Sequence, residues 1–292
     1  MESPGNRLRA AIARGTLRIP GSFNALTARI AARLGFPAVY LSGGALSAGW
    51  AGVPDVGLLT LTEFVEQAAV LTRAVDIPVI SDADTGFGEA INVARAVRLF
   101  EEAGVAAIHL EDQELPKRCG HLSGKQLVAP DRMVEKIRAA RGSTRNDLLI
   151  IARTDARSVE GFDASVARAK LYLEAGAEMI FPEALESEAE FARFADEVDA
   201  PLIANMTEFG KSPLLSYDVF VRMGYAAVLY PMTAFRAAMH AAESALSAIL
   251  EHGDQRTILD RLMTRAELYD HIDYREWEEA DRRYFGDSTR PS

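Results

Sequence analysis

The chain predicts an α/β protein, a (β/α)8 barrel with a helical C-terminal extension, and three observations carry that prediction. Its 292 residues suit either two ordinary domains or one large barrel. Eight short apolar, β-branched runs alternate with helix-period segments, as buried parallel strands do when helices cover them. Polar residues then recur at the C-terminal ends of those runs, where such a barrel gathers its working groups. A doubly wound sheet is the alternative. It seldom needs eight regular units, and no Gly-x-Gly-x-x-Gly follows the first run.

Taken in order, the strand-like runs are Leu17–Phe23, Ala38–Ser42, Pro78–Ser81, Ala106–Leu110, Leu148–Ala152, Glu178–Phe181, Leu202–Ala204 and Ala226–Tyr230. Between them, Glu63–Ala74, Ala90–Ala103, Asp131–Arg141, Asp163–Ala175 and Ser187–Glu197 have helical periodicity. Several helices end in the same way, at Leu34-Gly35, Ala103-Gly104, Ala175-Gly176 and Met223-Gly224. A glycine just past a helix takes the left-handed conformation at little cost. From about residue 241 the pattern turns wholly helical, with Leu246, Ile249, Leu250, Ile258, Leu259, Leu262 and Met263 at helical spacings, then Tyr269, Ile272, Trp277 and Phe285. The chain is read as a single domain over 1–292, this segment packing on its own barrel unless a neighbouring subunit takes it.

Hydrophobic content of 49% and charged content of 25% fit a globular protein with a full core. A net charge of −10 argues against a nucleic-acid or anionic-membrane surface, so an anionic substrate would need a local cluster of arginines. One cysteine excludes an internal disulfide and fits a reducing compartment. The first fifteen residues hold no secretory apolar run, and no stretch approaches the roughly 18 apolar residues of a membrane span. A soluble, cytoplasmic protein without nucleic-acid or membrane partners is the expectation.

The apolar runs end in Asn24, Ser42-Gly43-Gly44, Asp82 and Asp84, Glu111-Asp112, Arg153 and Asp155, Glu183 and Asn205, with Arg236 after the last. Asp82 and Asp84, two apart, point to one face. A carboxylate pair of this kind suits Mg²⁺, which takes one or two protein carboxylates and keeps waters; Mn²⁺ shares these ligands. The plainer reading is a turn. Asp55, Glu111 and Asp112 are the acids that would hold the ion's waters. Ser42-Gly43-Gly44 is a tight turn whose backbone N–H groups a carboxylate can approach. Arg153, Arg236 and Arg265 are candidate carboxylate forks, with a surface ion pair the plainer reading of each, of Arg265 above all.

The only cysteine, Cys119, lies in Pro116-Lys117-Arg118-Cys119-Gly120-His121. Three cationic neighbours would favour its thiolate, so a reactive thiol is expected, with His121 as its partner. His109, alternating with Glu111, reads as a histidine hydrogen-bonded inside the barrel. Gly120-x-x-x-Gly124-Lys125 is one residue short of a phosphate loop and lacks its Ser/Thr, and is rejected as one. The segment Pro116–Val128 reads as a lid, expected to open or disorder without ligand.

Tyr40-Leu-Ser42-Gly-Gly44, Asp82-Ala-Asp84-Thr-Gly86, Glu111-Asp112-Gln113, Lys117-Arg118-Cys119-Gly120-His121, Arg153-Thr-Asp155-Ala156, Phe181-Pro-Glu183-Ala184 and Asn205-Met-Thr-Glu-Phe-Gly210 together resemble the isocitrate lyase and phosphoenolpyruvate mutase superfamily. The likeness runs from about Leu17 to Phe285, and its most specific element, the cysteine loop, points to the lyases. Leu122-Ser123-Gly124 and Met206 depart from the pattern.

The resemblance implies a (β/α)8 barrel whose eighth helix is exchanged between subunits, in a homotetramer built as a dimer of dimers. It implies a magnesium-dependent carbon–carbon lyase acting on a small tricarboxylate. Ser42, Gly43 and Gly44 would hold a substrate carboxylate, Asp82 and Asp84 the magnesium, and Cys119 would be catalytic with Gly120 touching substrate. Arg153, Glu183, Asn205, Thr207, Arg236 and Arg265 would complete the site, and Phe181 and Leu229 would line the part that selects among substrates. In such a cleavage Cys119 would protonate the carbanion and Arg153 would stabilise it, the base lying between Tyr40 and a metal-held hydroxide. Phosphonomutase, hydrolase and oxaloacetate decarboxylase branches would use the same barrel and magnesium without this loop. A silent binding protein on the same frame is the remaining alternative.

Overall fold

The computed structural model describes residues 2–122 and 124–285; Ser123 of the unusual lid stretch lies outside them, as does the chain beyond Phe285. Eight strands form one all-parallel sheet: β1 (Leu17–Ser22), β2 (Val39–Leu41), β3 (Val79–Asp82), β4 (Ala107–Glu111), β5 (Leu149–Thr154), β6 (Met179–Pro182), β7 (Ile203–Asn205) and β8 (Ala227–Tyr230). Their order is β6-β5-β4-β3-β2-β1-β8-β7, and a parallel bridge between Ile180 and Leu202 joins the two ends into a barrel. Each predicted run overlaps one of these strands, and β3 to β7 continue one or two residues past the predicted end.

Helices α1 (Pro4–Ala13), α2 (Ala25–Arg33), α3 (Gly43–Leu46), α4 (Leu61–Ala74), α5 (Ala90–Glu102), α6 (Pro130–Arg141), α7 (Phe162–Glu174), α8 (Glu188–Glu197) and α9 (Tyr217–Arg222) belong to the first of two compact units, which ends at Phe235. The second begins at Arg236 and comprises most of α10 (Thr233–His252), a 3₁₀ turn, α11 (Arg265–His271) and α12 (Tyr274–Phe285). The helical tail thus starts at Thr233, two residues past Pro231, and not near 241. Among the described residues no helix is long and apolar enough to cross a membrane.

Strand alternation builds two layers. Val39, Leu41, Val79, Ile108, Ile150 and Val228 pack outward against the helices. Ile19, Tyr40, Ile80, His109, Ile151, Phe181, Ile203 and Leu229, one from each strand, meet inside the barrel. Two residues further along these inward files stand Ser42, Asp82, Glu111, Arg153, Glu183 and Asn205. The period of two that fills the barrel therefore also delivers a polar ring to its C-terminal mouth.

Candidate active site

The acidic side of the mouth is built on β3 and β4. Asp82 Oδ1 lies 3.0 Å from His109 Nε2, and the other ring nitrogen, Nδ1, is 3.0 Å from the Tyr40 hydroxyl. Asp82 Oδ1 also accepts the Asp84 N–H at 2.9 Å and Oδ2 the Gly43 N–H at 3.2 Å. Burial pushes Asp82 up, but His109, Lys117 and the Asp84 N–H outweigh it and hold the carboxyl well below its usual range. Asp84 goes the other way, to about 6: burial leads, Lys117 opposes it, and Asp82 and Asp55 add to it. Glu111 is raised as well, chiefly by burial, and its Oε1 has no hydrogen-bond partner.

Lys117 enters this cluster, with its Nζ bonded to Asp55 and 2.8 Å from Asp84 Oδ1. Across the mouth, Arg153 is held by Asp155, Nε to Oδ2 at 2.9 Å and Nη2 to Oδ1 at 3.2 Å, with Glu111 at 3.4 Å and Glu183 at 3.7 Å. Glu183 accepts from Asn205 Nδ2 at 3.2 and 3.3 Å and lies 2.8 Å from His121 Nε2. Burial would raise Glu183, but Arg153, His121 and Lys125 hold it far below the carboxylate range.

These residues carry more negative charge than they neutralise: six carboxylates (Asp55, Asp82, Asp84, Glu111, Asp155, Glu183) face three permanent cations, Lys117, Lys125 and Arg153. The raised Asp84 and the unpartnered Glu111 oxygen are where that excess collects, which is the donor set a hard divalent cation requires. Among the described residues no three His, Cys, Asp or Glu side chains cage an ion by themselves. That suits Mg²⁺, which keeps several waters and takes few protein ligands. The Asp82–Asp84 end of the mouth fits such an ion.

The lid closes over this ring. Its stem is an antiparallel bridge between Gln113 and Leu127, extended by Glu114 N–H to the Gln126 carbonyl at 2.8 Å and Val128 N–H to the Asp112 carbonyl at 3.0 Å. Gly120 sits so tightly that a β-carbon would fall 2.4 Å from Arg153 Nη2 and 2.5 Å from Glu183 Cδ.

The cationic cradle expected around Cys119 is not complete. Lys117 turns to the aspartates, and the Arg118 backbone pairs with Gln113, N–H to Oε1 and carbonyl from Nε2, both at 2.9 Å. His121 Nδ1 accepts the Lys211 N–H at 2.9 Å, and its Nε2 is turned to Glu183 Oε1 at 2.8 Å, away from the thiol. The thiol is consequently raised, not lowered. Crowding by protein on its inner side leads, although the side chain is exposed at the surface; the His121 N–H and Arg153 oppose the shift, and Glu183 and Asp55 add to it. Cys119 is held as a thiol, the form that donates a proton.

Other expectations also shift. Asp112 points outside the barrel, one residue out of phase with Glu111, and takes Thr154 Oγ1 and Tyr172 OH at 2.8 Å and the Asp155 N–H at 2.9 Å. It buttresses Asp155 rather than holding waters of an ion. The Gly43 N–H is spent on Asp82, and the Ser42 hydroxyl caps α3 through the Ala45 N–H at 3.3 Å. A β-carbon on Gly43 would lie 2.5 Å from Asp82 Oδ2, so the glycine is required by packing. Tyr40 is raised well above its ordinary range by burial, then Asp82, which disfavours the phenolate a base would need.

Phe181 and Leu229 are buried in the barrel layer beneath the mouth, with the Arg153 guanidinium 5.3 Å above the Phe181 ring; Thr207 is buried near Asn205 in sequence. Arg236 and Arg265 belong to the second unit, Arg265 exposed at the start of α11. Sequence reasoning undervalued three residues. His109 ties Asp82 to Tyr40, and its alternation with Glu111 already placed it inside the barrel. Lys117 reaches the aspartates, and Lys125 was set aside with the rejected phosphate loop.

Comparison with known proteins agrees with this geometry. The phosphoenolpyruvate phosphomutase family profile matches residues 8–250. The chain is 54% identical over 282 residues to the 2-methylisocitrate lyase of Aeropyrum pernix, covering 96% of this chain and 91% of that one. It is 45% identical over 282 residues to the 2-methylisocitrate lyase of Escherichia coli, covering 96% and 95%. The crystal structure of 2,3-dimethylmalate lyase superposes with a TM-score of 0.92 at 34% identity, covering 99% and 97%. That of phosphonopyruvate hydrolase in complex with oxalate and Mg²⁺ does so with 0.87 at 30%, covering 97% and 99%. The chain belongs to the phosphoenolpyruvate phosphomutase family, among relatives that are 2-methylisocitrate lyases.

Proposed function

We propose that this enzyme is a magnesium-dependent lyase that cleaves the C2–C3 bond of 2-methylisocitrate to pyruvate and succinate, the carbon–carbon cleavage of the methylcitrate cycle in propionate breakdown. The observation that carries the reading is geometric: Cys119 stands on a lid whose next residue, Gly120, packs directly on the Arg153–Glu183 pair. Full-length relatives named as 2-methylisocitrate lyases supply the substrate.

In this reading Asp82 and Asp84 hold Mg²⁺, or Mn²⁺ in its place, and the ion supplies Lewis-acid stabilisation of developing negative charge. The substrate's C2 hydroxyl gives its proton to the carboxylate cluster, where Glu111 Oε1 has no other partner. The C2–C3 electron pair moves onto C3, leaving pyruvate and a carbanion beside a carboxylate. Arg153, fixed in orientation by Asp155, stabilises the charge that spreads into that carboxylate. Cys119 then gives its proton to C3, completing succinate, and is left as thiolate. Ser42, Gly44, Asn205 and Thr207 frame the substrate. His121 anchors the lid to Glu183 rather than acting on the thiol.

A homotetramer, a dimer of dimers with the eighth helix exchanged, belongs to the same proposal; Leu246, Leu250 and Trp277 are 67%, 88% and 73% exposed in the second unit, surface that a neighbouring subunit would cover. The test is 2-oxo-acid release, read as pyruvate from 2-methylisocitrate, 2,3-dimethylmalate and oxaloacetate and as glyoxylate from isocitrate, side by side, with Mg²⁺ and with chelator. Preference for 2-methylisocitrate that vanishes with chelator is expected, and preference for any other of the four refutes the assignment.

A further inference from the structure

Lys125 has no part in the chemistry above, yet its side chain is almost wholly buried. Its Nζ donates to Asp155 Oδ1 at 2.6 Å and also to the carbonyl of Gly120. An ammonium taken out of water is unfavourable unless paired and hydrogen-bonded, and a methionine would fill the same space without that cost. What the cation adds is a connection. Asp155 belongs to the fixed part of the mouth: it grips Arg153 through both oxygens, and its backbone N–H is tied to Asp112. The Gly120 carbonyl belongs to the thiol-bearing turn, one residue after Cys119. Lys125 itself leaves the lid stem immediately before Gln126, whose carbonyl accepts the Glu114 N–H. The side chain therefore reaches from the anchored end of the lid across to its tip.

We propose that Lys125 is the latch of the lid, a positioning residue that clamps the Gly120 carbonyl to Asp155 and so sets where Cys119 stands relative to Arg153. A second effect follows from the same contacts. Without the lysine, the Asp155 carboxylate has Arg153 as its one cationic neighbour within hydrogen-bond reach, and draws the guanidinium away from Glu111 and Glu183. Both effects misplace groups that the proposed reaction needs together; to that extent the latch rests on the reading of Cys119 as proton donor.

The test uses Lys125→Met and Lys125→Arg in the full chain. Cys119 is the sole cysteine, so its alkylation by iodoacetamide, followed by intact mass, reports the lid without substrate. Lys125→Met is expected to alkylate several-fold faster than wild type. Its turnover of 2-methylisocitrate should fall roughly ten- to hundredfold, as misplacement of reacting groups does, while the Mg²⁺ concentration for half-maximal rate stays put. Lys125→Arg keeps the charge with altered reach and should fall between. If Lys125→Met does not fold, the arginine variant is judged by the same readings. An unchanged alkylation rate overturns the latch, whatever happens to turnover, because the lysine would then serve stability alone. Faster alkylation with unchanged turnover overturns it too. Should wild type fail to cleave 2-methylisocitrate, the functional proposal falls while the alkylation arm still decides the latch.

Discussion

Gly120→Ala adds one methyl group at the closest approach between lid and barrel. The new carbon would lie 2.4 Å from Arg153 Nη2 and 2.5 Å from Glu183 Cδ and Cγ. Comfortable non-bonded separation is about 3.5–4.0 Å, so something has to give by about 1 Å. Arg153 is buried and held by Asp155, and Glu183 is held from the barrel by Asn205, so the lid is the part that moves. Gly120 is not among the residues with positive φ, and alanine meets no backbone strain there. A displacement of this size at the reacting groups costs on the order of 10²-fold, about 2.7 kcal/mol on the barrier. Overpacking costs the fold about 1–3 kcal/mol, which a melting curve measures separately. The assay couples pyruvate formation to NADH consumption, with substrate and Mg²⁺ saturating. Turnover within threefold of wild type in a folded Gly120→Ala protein would refute the closed lid as the working arrangement.

Three further outcomes follow from the same contacts. Tyr172→Phe removes one of the hydrogen bonds to the Asp112 carboxylate and should cost about 1.5–3 kcal/mol in denaturant unfolding, with turnover little changed because Thr154 and the Asp155 N–H remain. Since burial raises the Cys119 thiol, its alkylation should keep accelerating with pH beyond the ordinary cysteine midpoint of about 8.5. The folded protein binds that proton more tightly than the unfolded chain, so the associated stability is present below the unfolded pKa and is lost as pH rises through the folded one; a midpoint at or below the ordinary value would contradict the packing described. Asp84→Asn removes a charge from the acidic cluster and should raise the Mg²⁺ concentration for half-maximal rate tenfold or more, whereas an unchanged requirement would place the ion elsewhere.

The strands and their polar ends were legible because one signal encodes both. A period of two that puts Ile80, His109, Ile151 and Phe181 inside a barrel necessarily sends Asp82, Glu111, Arg153 and Glu183 to its mouth. The same rule separates Asp112 from Glu111, and applying it one residue further would have corrected Asp112. Loop geometry was not legible in this way. Lys117 stands two residues from Cys119, yet its ammonium binds Asp55, 62 residues earlier in the chain. Adjacency in a loop does not fix direction, so the charge around the thiol was read with the wrong sign. Helix α1 was passed over although Ser3 caps it and Pro4 begins it, because only Gly5, Leu8 and Ala11 are buried along its length.

The central claim is that the Cys119 thiol hands its proton to the carbon released from the cleaved bond. Turnover of 2-methylisocitrate in D₂O tests it, with the deuterium in succinate located and its configuration determined for wild type and Cys119→Ser. Wild type should place one deuterium on a single face, while the serine enzyme should turn over 10²- to 10⁴-fold more slowly and lose that facial selectivity as solvent supplies the proton. Succinate of the same configuration from the serine enzyme, formed at close to the wild-type rate, would contradict the account.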